Sequence, residues 1–164
     1  MKLSSLILTV TEDCNFRCKY CYQARSKHYM SWETAKQTLD FFLPRMKKNH
    51  KISFLGGEPF LAFDLIKKAV AYVKLKNKEL SKSAGFAVST NGSLLAEHVL
   101  DFLNRSDFIV ELSFDGFVQD AGRKKNSFAK TVAVIENALA LKNISLGTNS
   151  TFTAATVGSI HESL

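Results

Sequence analysis

Cysteine is nearly absent from this 164-residue chain: there are three, Cys14, Cys18 and Cys21, and none follows. An odd number in one tight cluster, with no distant partner, excludes a disulfide framework and points to metal or redox chemistry. Long apolar runs are missing too; nothing approaches the roughly 18 consecutive apolar residues of a membrane-spanning helix. Acidic residues are the minority, 15 against 22 lysines and arginines, for a net charge of +7. That modest excess permits an acidic partner without demanding one. No linker, low-complexity stretch or internal repeat breaks the sequence.

What is there is an ordinary globular composition, 46% apolar and 23% charged, at a length that suits one domain. Met1-Lys2-Leu3 and Leu6-Ile7-Leu8 mimic the start of a signal peptide. Glu12 and Asp13, however, stand where a cleavage site wants small residues, so the expected location is the cytoplasm.

β-Rich runs alternate with helical periodicity. Leu6–Val10, Ile52–Leu55, Phe86–Ser89, Ile109–Phe114 and Ile144–Phe152 read as strands. Trp32, Ala35, Leu39, Phe42 and Met46 recur at steps of three and four behind a capping Ser31. Ile66, Ala69, Val70 and Val73 form a second stripe, with Lys67, Lys74 and Lys78 on a solvated face. Leu95, Val99, Phe102 and Leu103 make a third, and Phe128, Val132, Ile135 and Leu139 a fourth. Such alternation predicts an α/β fold, a mainly parallel sheet built from right-handed crossovers; periodicity alone does not separate an open sheet from a barrel. Thr153 to Leu164 reads as the start of another helix. An unfinished parallel sheet leaves an unpaired edge, so the expectation is a piece of a longer protein.

In parallel α/β folds ligands bind at the carboxyl ends of the strands. Four strand-exit loops carry unusual residues: Cys14 to Tyr22, Gly56-Gly57-Glu58-Pro59, Ser89-Thr90-Asn91-Gly92 and Ser113-Phe114-Asp115-Gly116. Each has a plain reading as a turn or a cap; four on one edge imply a shared site. Three clustered thiolates suit an iron–sulfur cube with one iron left open. The competing reading is a structural zinc site completed by His28 or His50. The glycine pair would let backbone carbonyls approach a ligand closely, an arrangement that suits an ammonium group.

C-x-x-x-C-x-x-C after a first strand, with Tyr20 before the last cysteine, together with Gly56-Gly57-Glu58-Pro59, resembles the radical S-adenosylmethionine (radical SAM) superfamily. Tyr22 after the cysteines, Thr90-Asn91-Gly92 and Ser113-x-Asp115-Gly116 are similar to the branch that matures peptides and anaerobic sulfatases, whose members often carry a SPASM domain. The resemblance covers essentially the whole chain and implies a radical SAM core domain over residues 1–164, a parallel-stranded partial (β/α) barrel with about five of six β/α units. It implies that Cys14, Cys18 and Cys21 ligate a [4Fe-4S] cluster whose open iron takes the amino and carboxylate groups of S-adenosylmethionine. Tyr20 would lie against the adenine, Gly56, Gly57 and Glu58 would offer backbone groups to the ammonium, and Ser113 and Arg123, with Lys125 as the alternative to Arg123, would contact ribose or carboxylate.

The activity so implied is reductive cleavage of the cofactor to a 5′-deoxyadenosyl radical that abstracts hydrogen from a peptide or protein side chain. A low-potential donor of flavodoxin or ferredoxin type would supply the electron. Two rivals stand beside it. One is RNA modification, drawing on Lys47, Lys48, Lys51 and the Arg123-Lys124-Lys125 run; without an aromatic-interleaved basic stripe, nucleic acid is the weaker expectation. The other is a cluster-binding module without turnover. No second cysteine-rich region follows for a SPASM domain, and no catalytic acid is assigned.

Overall fold

The computed structural model describes residues 2–24 and 26–163. Five parallel strands lie side by side in chain order: β1 (Leu3–Thr11), β2 (Met46–Gly56), β3 (Ser83–Thr90), β4 (Phe108–Ser113) and β5 (Ser145–Asn149). Each strand's neighbour is the next in sequence, so right-handed crossovers place the helices on a single face. The side chains agree. Leu8, Val10, Ile52, Phe54, Phe86, Val88, Phe108, Val110 and Leu112 are buried toward the helices, while Ile7, Thr9, Lys51, Ile109 and Glu111 between them are exposed on the other face. Phe86 and Phe108 stack at 5.5 Å, with Phe54 stacked on Phe108 at 6.1 Å, at the centre of the core. Burying each such ring contributes about 1.5–3 kcal/mol.

The helices are α1 (Trp32–Phe42), α2 (Phe63–Glu79), α3 (Glu97–Arg105), α4 (Gln119–Gly122), α5 (Phe128–Leu139) and α6 (Ile160–Ser163). Ser31 caps α1, its Oγ accepting the Thr34 N–H at 3.1 Å. Ile66, Ala69, Val70 and Val73 are the buried stripe of α2, and Lys67, Lys74 and Lys78 are exposed, both as the spacing predicts.

Three expectations need correction. Met46 is not on α1: Pro44 ends the helical run, a 3-10 turn covers Leu43–Arg45, and Met46 opens β2, still fully buried. β2 therefore begins six residues before Ile52, and its pairing with β1 jumps from Leu3↔Met46 to Ser5↔Lys51, an irregularity that polar Lys47 to His50 gave no alternation to reveal. The stripe of α5 is rotated, since Thr131 and Ala138 face the core while Leu139 is 68% exposed. The last helical signal becomes a 3-10 turn at Val157–Ser159 followed by α6, which folds back onto Gly116; Leu164 lies outside the described residues.

Candidate functional site

All four strand-exit loops meet at the carboxyl edge of the sheet. The loop leaving β1 rests directly on the glycine pair that ends β2: the Gly57 N–H donates to the Thr11 carbonyl at 3.0 Å and the Glu58 N–H to the Asp13 carbonyl at 2.8 Å. A Cβ on Gly56 would stand 2.2 Å from the Thr11 carbonyl oxygen. One on Gly57 would stand 2.3 Å from that of Asp13 and 2.9 Å from Cys14 Cβ. The close approach that the pair permits is thus first of all to the cysteine loop itself. Gly57's carbonyl takes no hydrogen bond among the described residues, which leaves it for a donor such as an ammonium.

Cys14 and Cys18 are half-buried and Cys21 is exposed. Cys14 Sγ accepts the Phe16 N–H at 3.4 Å and lies 3.9 Å from Asn91 Nδ2. Such N–H···S contacts on a ligating sulfur are among the levers that tune a cluster's potential. Burial pushes both the Cys14 and the Cys18 thiols up, and the charge of Arg123 opposes this at Cys18. Three soft donors in one neighbourhood fit an iron–sulfur cluster by their chemistry. Among the described residues, no three His, Cys, Asp or Glu side chains stand as a set for a single metal ion.

The zinc alternative loses one of its fourth ligands. His50 sits six positions before Gly56, roughly 20 Å down the strand at about 3.3 Å per residue, with its Nδ1 on the Lys47 carbonyl at 3.0 Å. His28 faces the Glu12 carboxylate at 3.3 Å.

Glu58 has a duty other than the one its backbone suggests. Its N–H is committed to Asp13, and its carbonyl accepts from Leu61. The side chain is wholly buried, accepting from Thr90 Oγ1 at 2.8 Å, the Asn91 N–H at 2.8 Å and the Phe60 N–H at 3.2 Å. It clamps the end of β3 to the end of β2 and so positions Asn91 against Cys14. Burial pushes its carboxyl up, and the three donors oppose that.

Tyr20, Arg123 and Asp115 form one unit. The Tyr20 hydroxyl donates to Asp115 Oδ2, and burial followed by this bond pushes the phenol well above its usual range. Arg123 grips the same carboxylate with Nε to Oδ2 at 2.8 Å and Nη2 to Oδ1 at 2.7 Å; the two side chains are 7% and 1% exposed. The Arg123 guanidinium also lies 5.4 Å from the Tyr20 ring centre. Asp115 Oδ1 further accepts the Thr151 N–H at 2.8 Å, just beyond β5. A cavity of about 300 Å³ opens between Tyr20, Val118, Gly122, Thr151 and Thr153. Ser113, half-buried, ends β4 in register with Asn149.

Asp115 and Asn91 are the site residues the sequence did not assign. Both stood within quoted motifs, but nothing local tells an Asp that caps a turn from one that anchors a distant loop. The basic residues divide: Lys47, Lys48 and Lys51 are exposed on β2 before the site, Lys124 and Lys125 are exposed near it, and Arg123 is withdrawn onto Asp115. No helix among the described residues is long and apolar enough to cross a membrane.

The five-stranded parallel sheet thus carries three cysteines in its first exit loop and a double glycine in its second. The model of the radical SAM superfamily matches residues 8–154, and the chain belongs to that superfamily. It is 34% identical over 148 residues to the uncharacterized protein MJ0907 of Methanocaldococcus jannaschii, covering 88% of this chain and 50% of that one. To a cysteine-type anaerobic sulfatase-maturating enzyme of Clostridium novyi it is 28% identical over 149 residues, 82% of this chain and 40% of the other. The structure of native anSMEcpe with bound AdoMet and Cp18Cys peptide superposes with a TM-score of 0.86 at 25% identity, covering 99% of this chain and 47% of that one. The chain thus spans half or less of the length of these relatives.

Proposed function

We propose that residues 1–164 form the core domain of a radical SAM enzyme in which Cys14, Cys18 and Cys21 hold a [4Fe-4S] cluster, and that its substrate is a peptide or protein side chain. One observation carries the reading: all three cysteines lie in the loop that leaves β1, seated on Gly56-Gly57. The fold shared with anSMEcpe, solved with AdoMet and a peptide, supports the substrate class.

The bound cluster and S-adenosylmethionine supply one-electron reductive cleavage and hydrogen-atom abstraction. The chain's own residues bind and orient. The cysteines give up their protons to become ligands. Gly57 offers its carbonyl to the ammonium, and the cavity beside Tyr20 receives the adenine. Ser113 is the hydroxyl, and Arg123 the cation, for ribose and carboxylate, with Arg123 aimed by Asp115. A low-potential donor of flavodoxin or ferredoxin type would supply the electron, and clustered thiols of this kind belong in a reducing cytoplasm.

Anaerobic reconstitution of the wild type and Cys18→Ala tests the assignment. The wild type takes up iron and sulfide and releases 5′-deoxyadenosine; Cys18→Ala does neither. Zinc alone in the anaerobically purified wild type, or undiminished 5′-deoxyadenosine from the variant, overturns it. Deuterium carried from a side-chain-deuterated peptide into 5′-deoxyadenosine tests the substrate class.

A further inference from the structure

A second and larger cleft, about 630 Å³, opens beside the cysteine loop between the first turns of α3 and α5. Its floor is apolar, with Phe60, Leu95 and Val99, and its rim carries the exposed Lys124, Lys125 and Lys130; no aspartate or glutamate lines it. One wall is Asn15 and Phe16, next in sequence to Cys14. The Phe16 N–H touches Cys14 Sγ at 3.4 Å, and Lys124 Nζ stands 5.1 Å over the Phe16 ring. Arg17 and Lys19, both exposed, continue the positive charge along the cysteine loop. Nearby carboxylates are already engaged. Asp120 accepts the N–H groups of Asn126, Ser127 and Phe128, and Asp115 holds Arg123.

We infer that this cleft is the docking site of an acidic one-electron carrier protein that reduces the metal centre. The inference rests on the function proposed above and adds where the electron enters. A carrier must bring its redox group close to the cluster, and the cleft wall is the residue beside a ligand. It must also meet its partner quickly and leave again, and a one-signed rim steers an oppositely charged protein while holding it loosely. At the cleft's edge the half-buried Phe63, Leu94 and Val134 offer apolar surface inside the lysine rim, the arrangement a protein interface buries. RNA would need open aromatic faces on which to stack bases; Phe16 and Phe60 are buried, and the rings of Phe63 and His98 are packed on each other 6.0 Å apart. In the step itself one electron leaves the carrier and enters the centre held by the cysteines; no bond breaks and no proton moves.

The test is rapid mixing of the reconstituted chain with photoreduced flavodoxin, following cluster bleaching, for the wild type and Lys124→Glu/Lys130→Glu. At low salt the variant should be reduced about tenfold or more slowly, and the gap should close as salt is raised. Reduction by dithionite should proceed at the same rate in both proteins. Equal rates with flavodoxin overturn the inference, as does an equal slowing with dithionite, which would mean a disturbed centre. Salt-sensitive RNA binding that the variant loses, with flavodoxin reduction unchanged, also overturns it and gives the cleft to RNA. A wild type that assembles no iron–sulfur cluster fails before any carrier is added, and that outcome sinks the functional reading itself.

Discussion

Arg123 and Asp115 meet as a two-pronged ion pair, Nη2 to Oδ1 at 2.7 Å and Nε to Oδ2 at 2.8 Å, and the Tyr20 hydroxyl donates to the same carboxylate. One buried side chain thereby joins the cysteine loop, the loop after β4 and, through the Thr151 N–H, the loop after β5. Two of the residues expected to touch the cofactor are oriented by a third that was not.

Breaking that pair from one side leaves Arg123 buried and unmatched. Asp115→Asn should therefore destabilise the metal-free protein by about 3–5 kcal/mol. Adding Arg123→Gln should return much of the loss, because neither charge then remains buried alone. Urea unfolding of the two single variants and the double variant measures this, and simple additivity would refute the coupling.

Gly57→Ala forces a methyl group to within 2.3 Å of the Asp13 carbonyl oxygen and 2.9 Å of Cys14 Cβ. Its neighbours are the Asp13 backbone and the Cβ of Cys14, so the cysteine loop must move. Iron and sulfide uptake should fall several-fold while the far-ultraviolet circular dichroism persists. Gly85→Ala, where an added Cβ meets nothing within 4 Å, is the control and should load normally.

Glu58→Gln retains the shape but turns an amide NH₂ toward the donors that the carboxylate satisfies. A cost of about 1.5–3 kcal/mol follows for charge-assisted bonds of this kind. Because Glu58 holds Asn91 near Cys14, the variant should also shift the cluster's electron paramagnetic resonance spectrum. An unaltered spectrum beside a lowered denaturation midpoint would confine Glu58 to stability.

His50 supplies a pH dependence. Burial depresses its pKa below the ordinary 6.5, with the Lys47 carbonyl and the charge of Lys82 as lesser influences of opposite sign. As pH falls from about 6.5 toward the depressed folded value, the unfolded chain takes up a proton that the folded one resists, so stability declines over that window. Above it the contribution is fully present. Denaturation midpoints between pH 5 and 7.5 should drop on acidification in the wild type and less steeply in His50→Gln.

The cysteine loop and the glycine pair could be picked out in the sequence because their residue types are local signals. Three thiols at that spacing have few other uses, and a double glycine at a strand exit announces a close approach. The partner in that approach was not legible. The glycines make room for the Thr11 and Asp13 carbonyls, about 45 residues earlier in the chain, a proximity that exists only once β1 and β2 pair. Met46 misled for a related reason: helical spacing ran on past Pro44, and the core accepted the same side chain from a strand instead. Leu139 kept the periodicity of α5 yet faces outward, because the core took Ala138 while Thr131 turned inward to accept the Gln119 amide.

By itself the amino-acid sequence determined the order of strands and helices, the parallel sheet they build and the family of chemistry, since periodicity, turn residues and thiol spacing act over a few residues. Tertiary structure alone decided that Glu58 answers Thr90 and Asn91 across 32 and 33 residues, that Asp115 gathers Tyr20, Arg123 and Thr151, and that three lysines ring a cleft beside Cys14. The physical reason is that a buried charge takes whichever partners the fold brings within hydrogen-bonding reach, and that reach is set by strand pairing rather than by distance along the chain.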